Sequence, residues 1–72
     1  MVELSLRELR ELAGKTQTEV AYELEKVQAE ISQFENRPDH ILSKLRDYVK
    51  ALGGELEVVA RFGDKTLRLR GV

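Results

Sequence analysis

The sequence has no cysteine and no tryptophan, a single proline and a single histidine, and aromatic residues make up only 6% of it. Without cysteine there is no disulfide framework and no thiolate metal site, which fits a reducing cytoplasm. His40, the one histidine, cannot hold a metal by itself. Neither a Gly-rich phosphate loop nor a pair of carboxylates beside an apolar pocket signal is legible, so no catalytic residue, cofactor or metal is expected and the chain does not read as an enzyme. No apolar run approaches the roughly 20 residues of a membrane span. The start, Val2-Glu3-Leu4-Ser5, lacks the basic flank and apolar core of a signal peptide. A cytoplasmic protein with no membrane partner is the expectation.

An excess of one charge is also missing, since 12 Lys and Arg face 13 Asp and Glu for a net charge of -1. That balance argues against strong non-specific attraction to a polyanion. The distribution softens it: residues 1–36 hold 4 basic and 8 acidic side chains, residues 37–72 hold 8 and 5. At 72 residues a single core is marginal, and oligomerisation commonly supplies the remaining burial. A homodimer is expected on that ground.

Four helices are predicted. Ser5-Leu6-Arg7-Glu8 reads as a capping box opening a helix from Leu6 to about Ala13, with Leu6, Leu9, Leu12 and Ala13 inward, Arg7, Arg10 and Glu11 outward, and Gly14 ending it. Thr16-Gln17-Thr18-Glu19 is a second capping box. From there to Glu35, Val20, Ala21, Leu24, Val27, Ile31 and Phe34 recur at helical spacing as one apolar stripe. Asn36-Arg37-Pro38-Asp39 breaks this run. A further helix is expected from Ser43 or Lys44 to Leu52, with Leu45, Val49 and Leu52 inward, Tyr48 partly so, Ile41 and Leu42 closing the core, and Gly53-Gly54 as terminator.

The period then shifts from helical to two. Glu55 to Phe62 and Lys65 to Arg70 alternate around Gly63-Asp64, whose leading glycine suits a type II′ turn. One face carries Leu56, Val58, Ala60, Phe62, Leu67 and Leu69; the other carries Glu55, Glu57, Arg61, Arg68 and Arg70, able to pair across strands. An isolated hairpin is marginal in water. It must cover its own helices or meet the hairpin of a second subunit, and the second arrangement is favoured because edge-to-edge joining satisfies open backbone groups and creates a two-fold axis. Leu56, Val58, Val59, Leu67 and Leu69 are the candidate dimer interface.

The order T-Q-x-E-V-A, then an apolar pair, then Q-x-x-I-S-x-F-E, carried here by Thr16, Gln17, Glu19, Val20, Ala21, Leu24, Gln28, Ile31, Ser32, Phe34 and Glu35, resembles the lambda-repressor-like (Cro/XRE-type) helix-turn-helix family. The resemblance covers roughly Ser5 to Gly54, and the tail resembles small antitoxin-like members that end in a hairpin. It implies a mainly α fold: a four-helix lambda-repressor-like helix-turn-helix domain over 1–54, followed by a C-terminal β-hairpin over 55–72 that serves dimerisation. It also implies double-stranded DNA as the partner.

In that family the glutamine at the Gln17 position binds a DNA phosphate, and Lys15 just ahead can add a contact. A helix from Gln28 to Glu35 entering the major groove N-terminus first would present Gln28, Ala29, Ser32 and Gln33 to base edges. Gln28 suits adenine and Ala29 a thymine methyl. Asn36 and Arg37 would stand by the sugar-phosphate backbone; Ser43 and Lys44, at a helix start, are further phosphate candidates.

One departure concerns the turn. Family members carry Gly, an apolar residue and Ser or Thr there, where this chain has Glu25, Lys26 and Val27. Both local signals for a break are missing, and propensity alone permits one unbroken helix from Thr16 to Asn36. Two functions follow from the resemblance: a dimeric transcriptional repressor on an inverted-repeat operator, or an antitoxin-like module whose hairpin or last helix holds a toxin or other protein.

Overall fold

The structure, a computed structural model, describes residues 3–72; positions 1 and 2, with which the expected 1–54 unit begins, lie outside the described residues. Four helices, α1 (Leu6–Leu12), α2 (Gln17–Glu23), α3 (Gln28–Glu35) and α4 (Leu42–Ala51), precede a hairpin of β1 (Val58–Phe62) and β2 (Lys65–Leu69). This is the mainly α fold with a terminal hairpin that the residues led us to expect. No helix among the described residues is long and apolar enough to cross a membrane.

Both capping boxes form. The Ser5 hydroxyl accepts from the Glu8 amide at 3.1 Å while the Glu8 carboxylate accepts from the Ser5 amide at 2.9 Å, and Thr16 and Glu19 repeat the exchange at 3.1 and 2.9 Å. Each box satisfies two helix-start amides that would otherwise lack an acceptor. These contacts also hold the Glu8 and Glu19 carboxyls below their ordinary pKa, through the backbone hydrogen bonds first.

The unbroken-helix alternative fails at the turn. Glu25 has φ 56°, the only non-glycine residue among those described with positive φ. Its amide donates to the Tyr22 carbonyl at 3.2 Å, and the Lys26 amide donates to the Ala21 carbonyl at 2.8 Å. This is the double hydrogen bond of a Schellman ending, the same one that Gly14 and Lys15 make on α1. Glutamate therefore adopts the left-handed geometry that glycine would take without strain. Val27, as N-cap of α3, offers no side-chain acceptor. Glu30 reaches back to the Val27 amide at 3.4 Å and covers that donor instead.

The core gathers Val20, Ala21, Ile31, Tyr48 and Leu52, with Leu6, Leu9, Leu24, Phe34 and Ala51 packed around them. Full burial of such a side chain contributes about 1.5–3 kcal/mol. Several expected inward residues are corrected. Leu12, at 76%, and Val27, at 62%, are exposed, as are Ile41 and Leu42. Arg10, expected at the surface, is buried at 7%. On α1 the covered stripe runs Leu6, Leu9, Arg10, an i, i+3, i+4 set, and Leu12 falls to its flank. Along α4, which opens at Leu42 rather than Ser43, the covered set is Leu45, Tyr48, Val49 and Leu52, so Ile41 and Leu42 lie ahead of the packed turns. Tyr48, expected to be partly inside, is 1% exposed.

In the hairpin Val58 opposes Leu69, Ala60 opposes Leu67 and Phe62 opposes Lys65. That register keeps the apolar residues on one face. Gly63 has φ 61° while Asp64 stays negative, the signs a type II′ turn needs. Glu57 and Arg68 form the expected cross-strand ion pair at 3.4 Å.

Candidate nucleic-acid interface

The site begins in the core. Glu35, on the last turn of α3, has a side chain only 3% exposed, and a buried carboxylate is costly unless its oxygens are taken up. They are. Arg10 Nε donates to Oε2 at 2.6 Å, Arg10 Nη2 to Oε1 at 3.3 Å, and the Tyr48 hydroxyl to Oε2 at 2.6 Å. Gln17 Nε2 adds a bond to Oε1 at 3.0 Å. All four helices thus converge on one carboxylate.

Burial pushes the Glu35 carboxyl up, but the hydrogen bonds from Arg10, Tyr48 and Gln17 and the charge of Arg10 outweigh it, leaving it below the usual carboxylate range. Conversely, burial and then the Glu35 contact raise the Tyr48 phenol. Arg10 is raised by its hydrogen bond to Glu35. The pair is ionised, and Arg10 Nη1 also holds the Lys15 carbonyl at 3.0 Å.

This cluster sets an orientation at the surface. Glu35 can only accept, so Gln17 must turn its amide nitrogen toward it and its carbonyl outward. That carbonyl accepts from Gln28 Nε2, which leaves Gln28 with its own carbonyl and one amide hydrogen to offer. An acceptor and a donor side by side match the N6 and N7 edge of adenine.

Gln17, Gln28, Ser32 and Asn36 line one concavity together with Arg7, Glu11 and Thr18 and the Arg10–Glu35 pair. Gln33, Arg37 and Lys44 line another, together with Lys26, on a different side of α3. The expected contacts thus fall into two groups that flank the helix. Ala29 is exposed on the first turn of α3, and Ser43 is exposed on that of α4. Lys15 is half-buried. Neither concavity includes these three residues. Asn36 is anchored by its amide to the Ser32 carbonyl at 2.9 Å. Glu30 turns toward its own helix start and Lys26, at 3.8 Å.

The Gln17 side-chain amide is engaged at both ends, its nitrogen by Glu35 and its oxygen by Gln28. Sequence reasoning missed Arg10 and Tyr48 as supports of the site and gave Glu35 no role. The signal was the stripe Leu6, Leu9, Arg10, which places a cation where an apolar residue is expected.

No family model matches the sequence. Over 66 residues the chain is 42% identical to a Mycobacterium tuberculosis protein named antitoxin HigA2, a match that covers 89% of this chain and 65% of that protein. The chain therefore spans just under two thirds of that relative's length. Two solved structures match along almost their whole length. One is a HigA antitoxin described by the DNA bending that its unique dimerization induces, with TM-score 0.86 and 35% identity, covering 99% of this chain and 97% of that one. The other is a DNA-bound antitoxin HigA3, also at 0.86 and 35%, covering 100% and 96%. A shared fold could arise alone, but a shared fold with this identity over nearly all of both chains indicates common descent, and this chain belongs to the HigA antitoxin family.

Proposed function

We propose that this chain is a DNA-binding transcriptional repressor of the lambda-repressor-like class, which binds an inverted-repeat operator as a homodimer with α3 in the major groove. The observation that supports the reading is the link from Glu35 through Gln17 to Gln28, which orients the exposed Gln28 amide on α3 of a chain akin to a DNA-bound antitoxin. Gln28, Ala29, Ser32 and Gln33 read bases. Lys15, Gln17, Asn36, Arg37, Ser43 and Lys44 hold phosphates on either side of the helix. Residues 1–54 form the reading unit and residues 55–72 the dimerisation element, in which Leu56, Val58, Leu67 and Leu69, with Val59, belong to the hairpin surface that two copies share.

Binding to random-sequence DNA and to the promoter fragment upstream of the gene, measured by fluorescence anisotropy across a salt series, tests this. The promoter should bind at least about a thousandfold more tightly, and Gln28→Ala should lose most of that margin while the fold, read by circular dichroism, is unchanged. Equal weak binding of both DNAs by parent and variant would refute it.

The kinship to antitoxin HigA2 favours a second role beside the first. In it, the hairpin or α4 face holds a toxin, or another protein, while α3 stays available to DNA.

A further inference from the structure

From the charges and register of the hairpin we infer that two copies join through the outer edge of β1, with the two-fold axis at Val59; this rests on the hairpin-dimer reading above. Among the described residues the sheet has two strands, so each strand keeps one edge of backbone groups unpaired within the sheet, and either edge could template a second copy. Charge separates them.

The stretch along β2 carries Lys65, Arg68 and Arg70 with no acid. Two such edges would bring six cations together, the device by which sheets discourage edge pairing. The stretch leading through β1 carries Glu55, Glu57 and Arg61. Two copies of it running antiparallel can set acid against base.

Backbone directions narrow the register. With a two-residue turn, Phe62 and Lys65 close the hairpin as a hydrogen-bonded pair, and Ala60 with Leu67 and Val58 with Leu69 follow. The amides and carbonyls of Val59 and Arg61 then point to the open edge. A partner must engage those groups, and the apolar faces of the two hairpins must stay on the same side, because a one-residue slip would flip one of them.

Among the registers left, an axis at Val59 sets Glu57 opposite the partner's Arg61, Val58 opposite the partner's Ala60 and Leu56 opposite the partner's Phe62. The ion pair recurs on both sides of the axis. Moving the axis to Ala60 leaves Glu57 facing the partner's Gly63, and moving it to Arg61 stacks two guanidinium groups. Moving it to Val58 keeps an ion pair, Glu55 opposite the partner's Arg61, but leaves Phe62 facing the partner's Gly54. Phe62, 68% exposed in the single chain, gains an apolar partner in the Val59 register. Leu56, only half-buried, gains the reciprocal one. The result is a four-stranded sheet ordered β2, β1, then the partner's β1 and β2.

Directly opposed residues of an antiparallel pair lie about 4.5–5.5 Å apart at Cα, within reach of a disulfide. Because the chain has no cysteine, Val59→Cys introduces a single thiol at the axis. Under oxidised glutathione this variant should run as a covalent dimer on a non-reducing gel, whereas Leu67→Cys, in the middle of β2, should stay monomeric there. Arg61→Glu should weaken dimerisation at least tenfold by sedimentation equilibrium, and Arg70→Glu should change it less than twofold. Circular dichroism on each variant checks that the helices persist. A monomeric parent up to about a hundred micromolar would overturn the dimer reading and this register with it. A parent dimer in which Leu67→Cys crosslinks and Val59→Cys does not would overturn only the choice of edge, and a dimer crosslinked by neither would place the interface elsewhere.

Discussion

In the helical part Val20, Ile31 and Tyr48 are at most 2% exposed and the buried Arg10 has its carboxylate at 2.6 Å. In the hairpin, every residue of β2 stays exposed, and so do Val59, Arg61 and Phe62 of β1. Both parts have backbone hydrogen bonds and a consistent apolar face. They differ in what covers that face: the helices supply one another's cover, and the hairpin has two strands and one layer. A layer without a second layer is incomplete. The helical part therefore carries its stability in a single chain, while the hairpin's contribution waits for something to lie against it.

The hardest blow to this contrast is at Glu35. Glu35→Ala leaves Arg10 buried without a counter-charge and Tyr48 without its acceptor, and removal of one partner from a buried ion pair costs about 3–5 kcal/mol. Urea denaturation followed by circular dichroism at 222 nm should show a loss of that order; a loss below about 1 kcal/mol would mean that the cluster matters little to the helices. Acid probes the same cluster without mutation. The folded Glu35 carboxyl lies below its ordinary value, so the unfolded chain binds the proton more readily. Its stabilisation is complete above the ordinary glutamate pKa, about 4.3, and is lost as pH falls below that toward the folded value. In Glu35→Gln that part of the acid dependence should vanish.

A smaller effect, of opposite sign, is expected at the turn. A non-glycine residue in left-handed geometry costs about 1–2 kcal/mol, while glycine costs about 0.4–1 kcal/mol through the freedom it returns to the unfolded chain. Glu25→Gly should therefore stabilise the fold by about 0.5–1 kcal/mol, seen as a higher urea midpoint. No gain, or a loss, would mean that Glu25 makes a contribution that offsets its strain.

Smallest of all is the expected effect of Leu67→Ser on the helices. At protein concentrations below dimerisation their unfolding should shift by less than about 0.5 kcal/mol, as for a surface change. A larger shift would show that the hairpin stabilises its own helices and would erase the contrast.

Much of this was legible in the residues. The capping boxes at Ser5 and Thr16, the glycine endings at Gly14 and Gly53, and the alternation around Gly63-Asp64 each depend on neighbours within a few positions, so local chemistry was enough to read them. The polar set Gln17, Gln28, Ser32 and Asn36 was also readable as candidates, but not their grouping. Gln33 shares the α3 surface and yet falls with Arg37 and Lys44, because a helix has two flanks and only the packing of α4 shows which is which.

The sequence by itself determined where α1 and α2 begin, where α1 and α4 stop, and how the two strands align. Only the tertiary structure decided that Arg10 goes inside and Leu12 outside, that Glu25 takes a glycine's geometry, and that Tyr48 and Gln17 meet at Glu35. The reason is physical. Caps, turns and strand alternation are satisfied within a few residues, whereas burial of a charge depends on a counter-charge 25 positions away, and a left-handed glutamate persists only because α2 and α3 bury enough between them to hold it there.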